Sequence, residues 1–200
     1  PAGDELPLSS LSMDELAEHS AAAVAVITRT PEDYRPQLTR QEQDMLRTIC
    51  AAFPRTVLVL NTPGYMELGE FAQLLPAIVF MGIAGQEGGH ALTDLLTGRV
   101  MPSGRLAHSW PETLAAFDEA AHALDCFNGY RWFDSFDRPV LYPFGYGLGY
   151  GKSELVSVSM GLDGCDVVVT AEVLTSGEKY PVQEVVQVYY SNPDSEHTGA

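Results

Sequence analysis

Two hundred residues, 46% of them hydrophobic, suit one ordinary domain and part of a second, since a segment of about 150 residues buries roughly 68–70% of its unfolded surface. The 11 Lys+Arg against 27 Asp+Glu leave a net charge of −16. That balance repels phosphate backbones and anionic lipid, excludes nucleic acid as a partner, and suits a neutral ligand.

The start, Pro1-Ala-Gly-Asp-Glu-Leu6, has neither an initiating Met nor a basic-then-apolar leader, so the chain is expected to be a trimmed or internal fragment. Ser12 or Asp14 can cap a short helix over Glu15–Ser20. Ala21–Ile27 is a continuous apolar run that ends at Thr28-Arg-Thr-Pro31. It predicts a strand buried on both faces, as parallel sheets require.

Thr39-Arg-Gln-Glu42 has the spacing of a capping box and predicts a helix to about Phe53. Met45, Leu46, Ile49 and Cys50 recur at three and four residues, giving it one apolar stripe, and Pro54 ends it. Thr56–Asn61 predicts a second buried strand. Tyr65–Leu75 predicts a short helix or ordered loop.

Pro76–Pro111 predicts a strand–helix–strand unit: Ala77–Gly82, then a helix opening in the glycine run 85–89, then Arg105–Trp110. Gly88 and Gly89 are expected to let the helix start lie close to a neighbour, and Gly98 to stop it in the left-handed region. The apolar run Leu74–Ala84 contains Pro76 and falls short of the ~20 residues a membrane span needs.

Glu112–Asp125 predicts an excursion with partial helix, anchored by Phe117 and Leu124. Pro139–Tyr150 is aromatic and glycine-dense, hence tightly turned. Beyond it Leu155–Met160, Asp166–Leu174 and Glu184–Tyr190 predict antiparallel strands separated by Gly161, Asp163-Gly164 and Ser176-Gly177. The alternation before Tyr150 argues for an α/β fold, a mostly parallel sheet with helices on both faces. The boundary falls near Tyr150, with an α/β domain over residues 1–150 and an incomplete all-β segment over 151–200.

Ala84–Leu106, followed by Trp110-Pro111, Gly129-Tyr-Arg-Trp-Phe-Asp134 and Leu141-Tyr-Pro-Phe-Gly-Tyr-Gly-Leu148, resembles the signature of the α/β sandwich domain of family-3 glycoside hydrolases. That group contains many β-glucosidases and β-xylosidases. Glu184–Pro193 resembles a strand of the fibronectin-type-III-like domain that follows the sandwich in many members.

The resemblance implies retaining hydrolysis of a terminal β-linked sugar, a β-glucoside or β-xyloside, with no cofactor and no metal. Such enzymes need two carboxyl groups, one as nucleophile and one as acid/base. The family's nucleophile is an Asp on a (β/α)8 barrel domain, the implied partner within the same parent chain, which lies before Pro1 or after Ala200. The sandwich lends the acid/base Glu, from a pattern like Arg-x-Ser-Gly-Glu-Gly-x-Asp-Arg. Ile27–Arg35 matches it at Arg29, Glu32 and Arg35, without the flanking glycines and about one residue shorter. Glu32 is therefore the candidate acid/base and Asp33 its rival; the plain alternative is a surface glutamate after Pro31. By itself the fragment is expected to be inactive.

Other residues read as structural. Glu87 sits where a carboxylate favours a helix start. His90 and Asp94, four apart, lack a third ligand for a metal and are expected as a hydrogen-bonded or solvated pair. His108, Trp110 and most of the aromatics from Tyr130 to Tyr150 are expected as packing. The family's Glu-Gly pair ahead of the Gly-Tyr-Arg motif stands as Leu124-Asp125. Cys50, Cys126 and Cys165 are far apart and read as buried small residues, which leans to a reducing compartment such as the cytoplasm, with secretion open. Two other classes stay open: a non-catalytic accessory or carbohydrate-binding module, and a doubly wound nucleotide-binding domain.

Overall fold

The structure, a computed structural model, describes residues 12–121, 127–176, 182 and 184–190. The chain divides into two compact units, Pro1–Gly85 with Pro111–Asp118, and Gln86–Trp110 with Glu119–Ala200.

In the first unit, α1 (Met13–His19) is capped by Ser12, whose hydroxyl accepts from the Glu15 amide. Strands β1 (Ala23–Thr28), β2 (Thr56–Asn61) and β3 (Ala77–Phe80) form a parallel sheet in the order β1-β2-β3. Two helices make the crossovers, α2 (Arg40–Ala52) from β1 to β2 and α3 (Phe71–Leu74) from β2 to β3. The register pairs Ala25 with Leu58 and Ile27 with Leu60.

Central β2 is the heart of this unit, with Leu58, Val59 and Leu60 all 0% exposed. Edge strand β1 departs from its expectation: Ala25 and Ile27 are buried, but Val24 and Val26 are exposed. A strand's side chains alternate between two faces, and only one face of β1 is covered. Arg47 of α2 bonds Glu70 at the start of α3 and lies over the Phe71 ring, 5.7 Å from its centroid.

The capping box forms as expected: Thr39 Oγ1 accepts from the Glu42 amide at 3.2 Å and Glu42 Oε2 accepts from the Thr39 amide at 2.8 Å. It starts α2, and Leu46 on the apolar stripe is fully buried. Tyr65 is buried too, its ring stacked on Phe117 at 4.6 Å and its phenol donating to the Pro111 carbonyl. Burial and the nearby Glu67 carboxylate drive that phenol far above the usual tyrosine range. Phe117 is thus the anchor expected of it; Leu124 lies outside the described residues.

In the second unit α4 (Gly88–Leu96) ends at Gly98, whose φ of +68° is the left-handed stop. The strand expected over Arg105–Trp110 does not form. Leu106 and Trp110 instead exchange isolated backbone bonds with the turn-rich 141–146 segment, Leu106 N–H to the Tyr146 carbonyl and Trp110 N–H to the Tyr142 carbonyl. A continuous ladder is blocked because the partner stretch holds Pro143 and turns sharply. The chain also runs so close there that a Cβ on Gly147 would meet the Gly104 carbonyl oxygen at 2.4 Å.

Aromatic residues collect around α6 (Tyr130–Ser135), a helix the composition did not announce. Tyr130 stacks on Phe144 at 4.8 Å, Trp132 meets Phe133 edge-on, and Phe133 and Trp110 are buried. A further helix, α5 (Leu114–Ala121), precedes it in the chain.

Strands β4 (Lys152–Asp163) and β5 (Asp166–Ser176) form an antiparallel hairpin turning at Gly164-Cys165. Its register gathers Val158, Met160 and Leu162 with Ala171, Val169 and Val167 on one face, and Ser157, Ser159, Glu172 and Thr170 on the other. The strand expected over Glu184–Tyr190 is absent; this stretch pairs with no strand among the described residues. Glu184 instead accepts from the Ser153 hydroxyl, from its own neighbour Val185 N–H at 2.9 Å and from Arg105 at 3.0 Å. In that order these donors hold its carboxyl down to about 2.

Candidate functional site

The site is the loop after β1, because parallel sheets present their chemistry at the carboxyl ends of their strands. Arg29 continues the sheet through its N–H to the Asn61 carbonyl, and the chain then swings out before returning at Leu38, which is buried. Glu32 stands in the middle of that excursion. It is exposed, and no hydrogen bond or ion pair holds its carboxylate among the described residues. Asp33 is fixed from behind, its N–H donating to the Thr30 carbonyl and hydroxyl, and its carboxylate meets Arg35 at 3.3 Å in an exposed pair worth little.

Two anchors hold the loop. Its returning half is fastened to the loop after β2: the Tyr34 phenol donates to the Tyr65 carbonyl, Glu67 N–H donates to the Pro36 carbonyl at 2.6 Å, and Gln37 Nε2 to Glu67 at 2.7 Å. At its base the Arg29 guanidinium grips Glu42 with two bonds of 2.8 Å each. The side chains of this pair are only 12% and 21% exposed. Burial by itself would raise the Glu42 carboxyl, but the bonds from Arg29 and Thr39 outweigh it and hold it below the usual range. The bond to Glu42 also raises Arg29, against some loss of hydration.

Sequence reasoning singled out Arg29 and Glu32 and, separately, the Thr39–Glu42 cap. It missed the Arg29–Glu42 pairing and the Tyr34 anchor. Neither leaves a local signal: Arg29 and Glu42 are 13 positions apart, and Tyr34 reaches Tyr65 across 31.

The residues read as structural also sort themselves. Glu87 Oε2 meets His90 Nδ1 at 2.5 Å, while Asp94 pairs with Arg99 at 3.1 Å. His90 and Asp94 therefore each have another partner rather than one another. Gly89 meets nothing a Cβ would disturb within 4 Å, so close packing is not what requires glycine there. Trp110 Nε1 donates to His108 Nε2 at 3.0 Å, and burial pushes the His108 imidazole down. Cys50 is half-buried, whereas Cys165 is exposed at the hairpin turn rather than buried. Among the described residues no group of three or more His, Cys, Asp or Glu could hold a metal ion, and no helix is long and apolar enough to cross a membrane.

A parallel α/β unit with a braced, carboxylate-bearing loop at its strand ends defines the class to which the comparisons then give a family. Residues 9–150 match the glycosyl hydrolase family 3 C-terminal domain, and the chain belongs to that family. It is 31% identical to a β-glucosidase of Ruminococcus albus over 96% of this chain and 22% of that protein. It is also 31% identical to an exo-α-(1→6)-L-arabinopyranosidase of Bifidobacterium longum over 72% of this chain and 20% of that protein. Among solved structures, β-glucosidase 3B of Thermotoga neapolitana in complex with α-D-glucose superimposes with a TM-score of 0.76 at 28% identity, covering 86% of this chain and 28% of that one. The chain thus spans about a fifth of the length of the curated relatives it matches.

Proposed function

We propose that this chain is the acid/base-bearing part of a retaining glycoside hydrolase that removes terminal β-linked sugars, with Glu32 as its acid/base. The observation that carries the reading is Glu32 itself: an exposed carboxylate, unpaired among the described residues, at the crest of a loop fastened on both sides, at the carboxyl edge of a parallel sheet. The protein's partner is a (β/α)8 barrel domain of the same parent chain, which supplies the nucleophilic Asp. The substrate is a β-glucoside or β-xyloside. The β-glucosidases among the relatives favour the glucoside, and the arabinopyranosidase among them shows how far sugar preference varies within the family.

In the first step the Glu32 carboxylic acid gives its proton to the glycosidic oxygen while the bond to the anomeric carbon breaks and the barrel carboxylate bonds to that carbon. In the second, the Glu32 carboxylate takes a proton from water as the water oxygen replaces the barrel carboxylate. Residues 151–200 open a fibronectin-III-like domain. Their hairpin supports this with one apolar and one polar face, the pattern of a half-sandwich that packs on a second sheet.

Glu32→Gln in the full-length enzyme tests the assignment. Hydrolysis of an aryl β-glucoside with a poor leaving group is expected to fall by about 10²–10⁴-fold. A dinitrophenyl glucoside, which leaves without a proton, should keep its first step, and azide should restore turnover by replacing the base-assisted water. Unchanged hydrolysis of the poor substrate would remove Glu32 from the reaction and return the chain to the accessory-module reading.

A further inference from the structure

We infer that Arg29 is a positioning residue for Glu32, closing the loop whose crest carries the acid/base carboxylate and so setting where that carboxylate meets substrate. The inference rests on Glu32 being the acid/base. It starts from a count of donors. A guanidinium has five N–H groups in a rigid planar fork, and Arg29 makes five bonds: Nε to the Arg35 carbonyl at 3.3 Å, Nη1 to the Thr28 carbonyl at 3.0 Å and to Glu42 Oε1, and Nη2 to the Gln37 carbonyl at 3.4 Å and to Glu42 Oε2.

These acceptors are not scattered. Thr28 is the last residue of β1, while Arg35 and Gln37 lie on the returning half of the excursion. One side chain therefore ties the outgoing strand to the returning chain, and Glu32 lies midway between Arg29 and Arg35 in sequence. Glu42 supplies the fixed point. Its two oxygens orient the fork, and its place in the first turn of α2 is itself set by the bond that it makes to the Thr39 amide. The route from rigid helix to catalytic loop thus runs Thr39, Glu42, Arg29, then the Arg35 and Gln37 carbonyls.

A lysine in this position keeps the charge but has a compact three-donor head in place of the fork. It cannot satisfy both Glu42 oxygens and two carbonyls of the returning loop at once. Misplacement of a catalytic group by about 1 Å costs on the order of 100-fold in rate, so Arg29→Lys should act on chemistry while leaving the sheet and α2 folded.

The test is a double-mutant cycle in the full-length enzyme, with kcat and kcat/KM measured on the same poor-leaving-group and dinitrophenyl β-glucosides and folding followed by circular dichroism. Arg29→Lys is expected to lower kcat/KM on the poor substrate by about 100-fold, with a much smaller change in kcat/KM on the dinitrophenyl substrate, which reports only the first step. In the Glu32→Gln background the same substitution should bring no further loss, because a positioning residue has nothing left to position. Glu42→Gln should give the same signature. Should Arg29→Lys fail to fold, Glu42→Gln still carries the cycle.

Equal losses from Arg29→Lys with and without Glu32 would mean that it acts on the enzyme at large, and would overturn the inference. So would an impaired Glu32→Gln enzyme beside an unimpaired Arg29→Lys enzyme, with the acid/base assignment left standing. A silent Glu32→Gln would bring down both.

Discussion

Strand β2 and the hairpin strands β4 and β5 are built from similar residues and end up in opposite surroundings. Leu58, Val59 and Leu60 are completely buried, whereas Val158, Met160, Leu162 and Val167 are 57%, 77%, 79% and 60% exposed. Both stretches have the β-branched and aliphatic content that favours extended chain. The difference lies in neighbours. β2 has a strand on each side, while among the described residues β4 and β5 pair only with each other. Removing a Leu or Val from water is worth about 1.5–3 kcal/mol, so β2 realises what the hairpin's apolar face still has available. A two-stranded hairpin by itself is marginally stable in water.

The sharpest way to break this comparison is amide hydrogen exchange on this chain. The β2 amides should exchange only through global unfolding and the β4 and β5 amides through local opening, a difference of several orders of magnitude in protection. Equal protection would show that the hairpin has cover after all. Next in size, Leu58→Ala should destabilise by about 2–5 kcal/mol in urea unfolding, whereas Leu162→Ala, already exposed, should stay within about 0.5 kcal/mol. A large loss at Leu162 would overturn the contrast.

Electrostatics sharpen the same point within the α/β unit. Glu42 is held below the usual carboxylate range in the folded chain, so the folded state binds fewer protons there than the unfolded state. Its contribution is therefore fully present above the unfolded value of about 4.3 and is lost as pH falls through the lower folded value. Urea midpoints should drop below about pH 4.5, and less steeply in Glu42→Gln, which itself should cost about 1–3 kcal/mol at neutral pH by leaving Arg29 underbonded. A Glu42→Gln protein with an unchanged pH dependence would show that other carboxylates govern acid unfolding. The smallest loss expected within the α/β unit is that of Thr39→Ala, at about 1 kcal/mol from loss of the cap, read from the same urea midpoints; no change would mean that Arg29 alone orders Glu42.

Much of this protein was legible where the deciding physics is local. The Thr39–Glu42 box and the stripe through Leu46 announce α2, because caps and helical periodicity are set within four residues. The apolar run Thr56–Asn61 announces a buried strand, Gly98 the left-handed stop, and the ordered motifs from Ala84 to Leu148 the family. The sequence alone also singled out Glu32.

Tertiary structure decided what depends on partners distant in the chain. β1 became an edge strand with Val24 and Val26 exposed, which its apolar run does not distinguish from a central one. Arg105–Trp110 and Glu184–Tyr190 have strand-like composition but no ladder among the described residues, because a strand exists only where another chain segment of matching shape lies alongside it. The grip of Arg29 on Glu42 and on two carbonyls of the returning loop belongs to the same category. Local propensity selects helices, caps and turns from near neighbours, whereas burial and side-chain pairing are settled only when the folded backbone brings distant residues within reach.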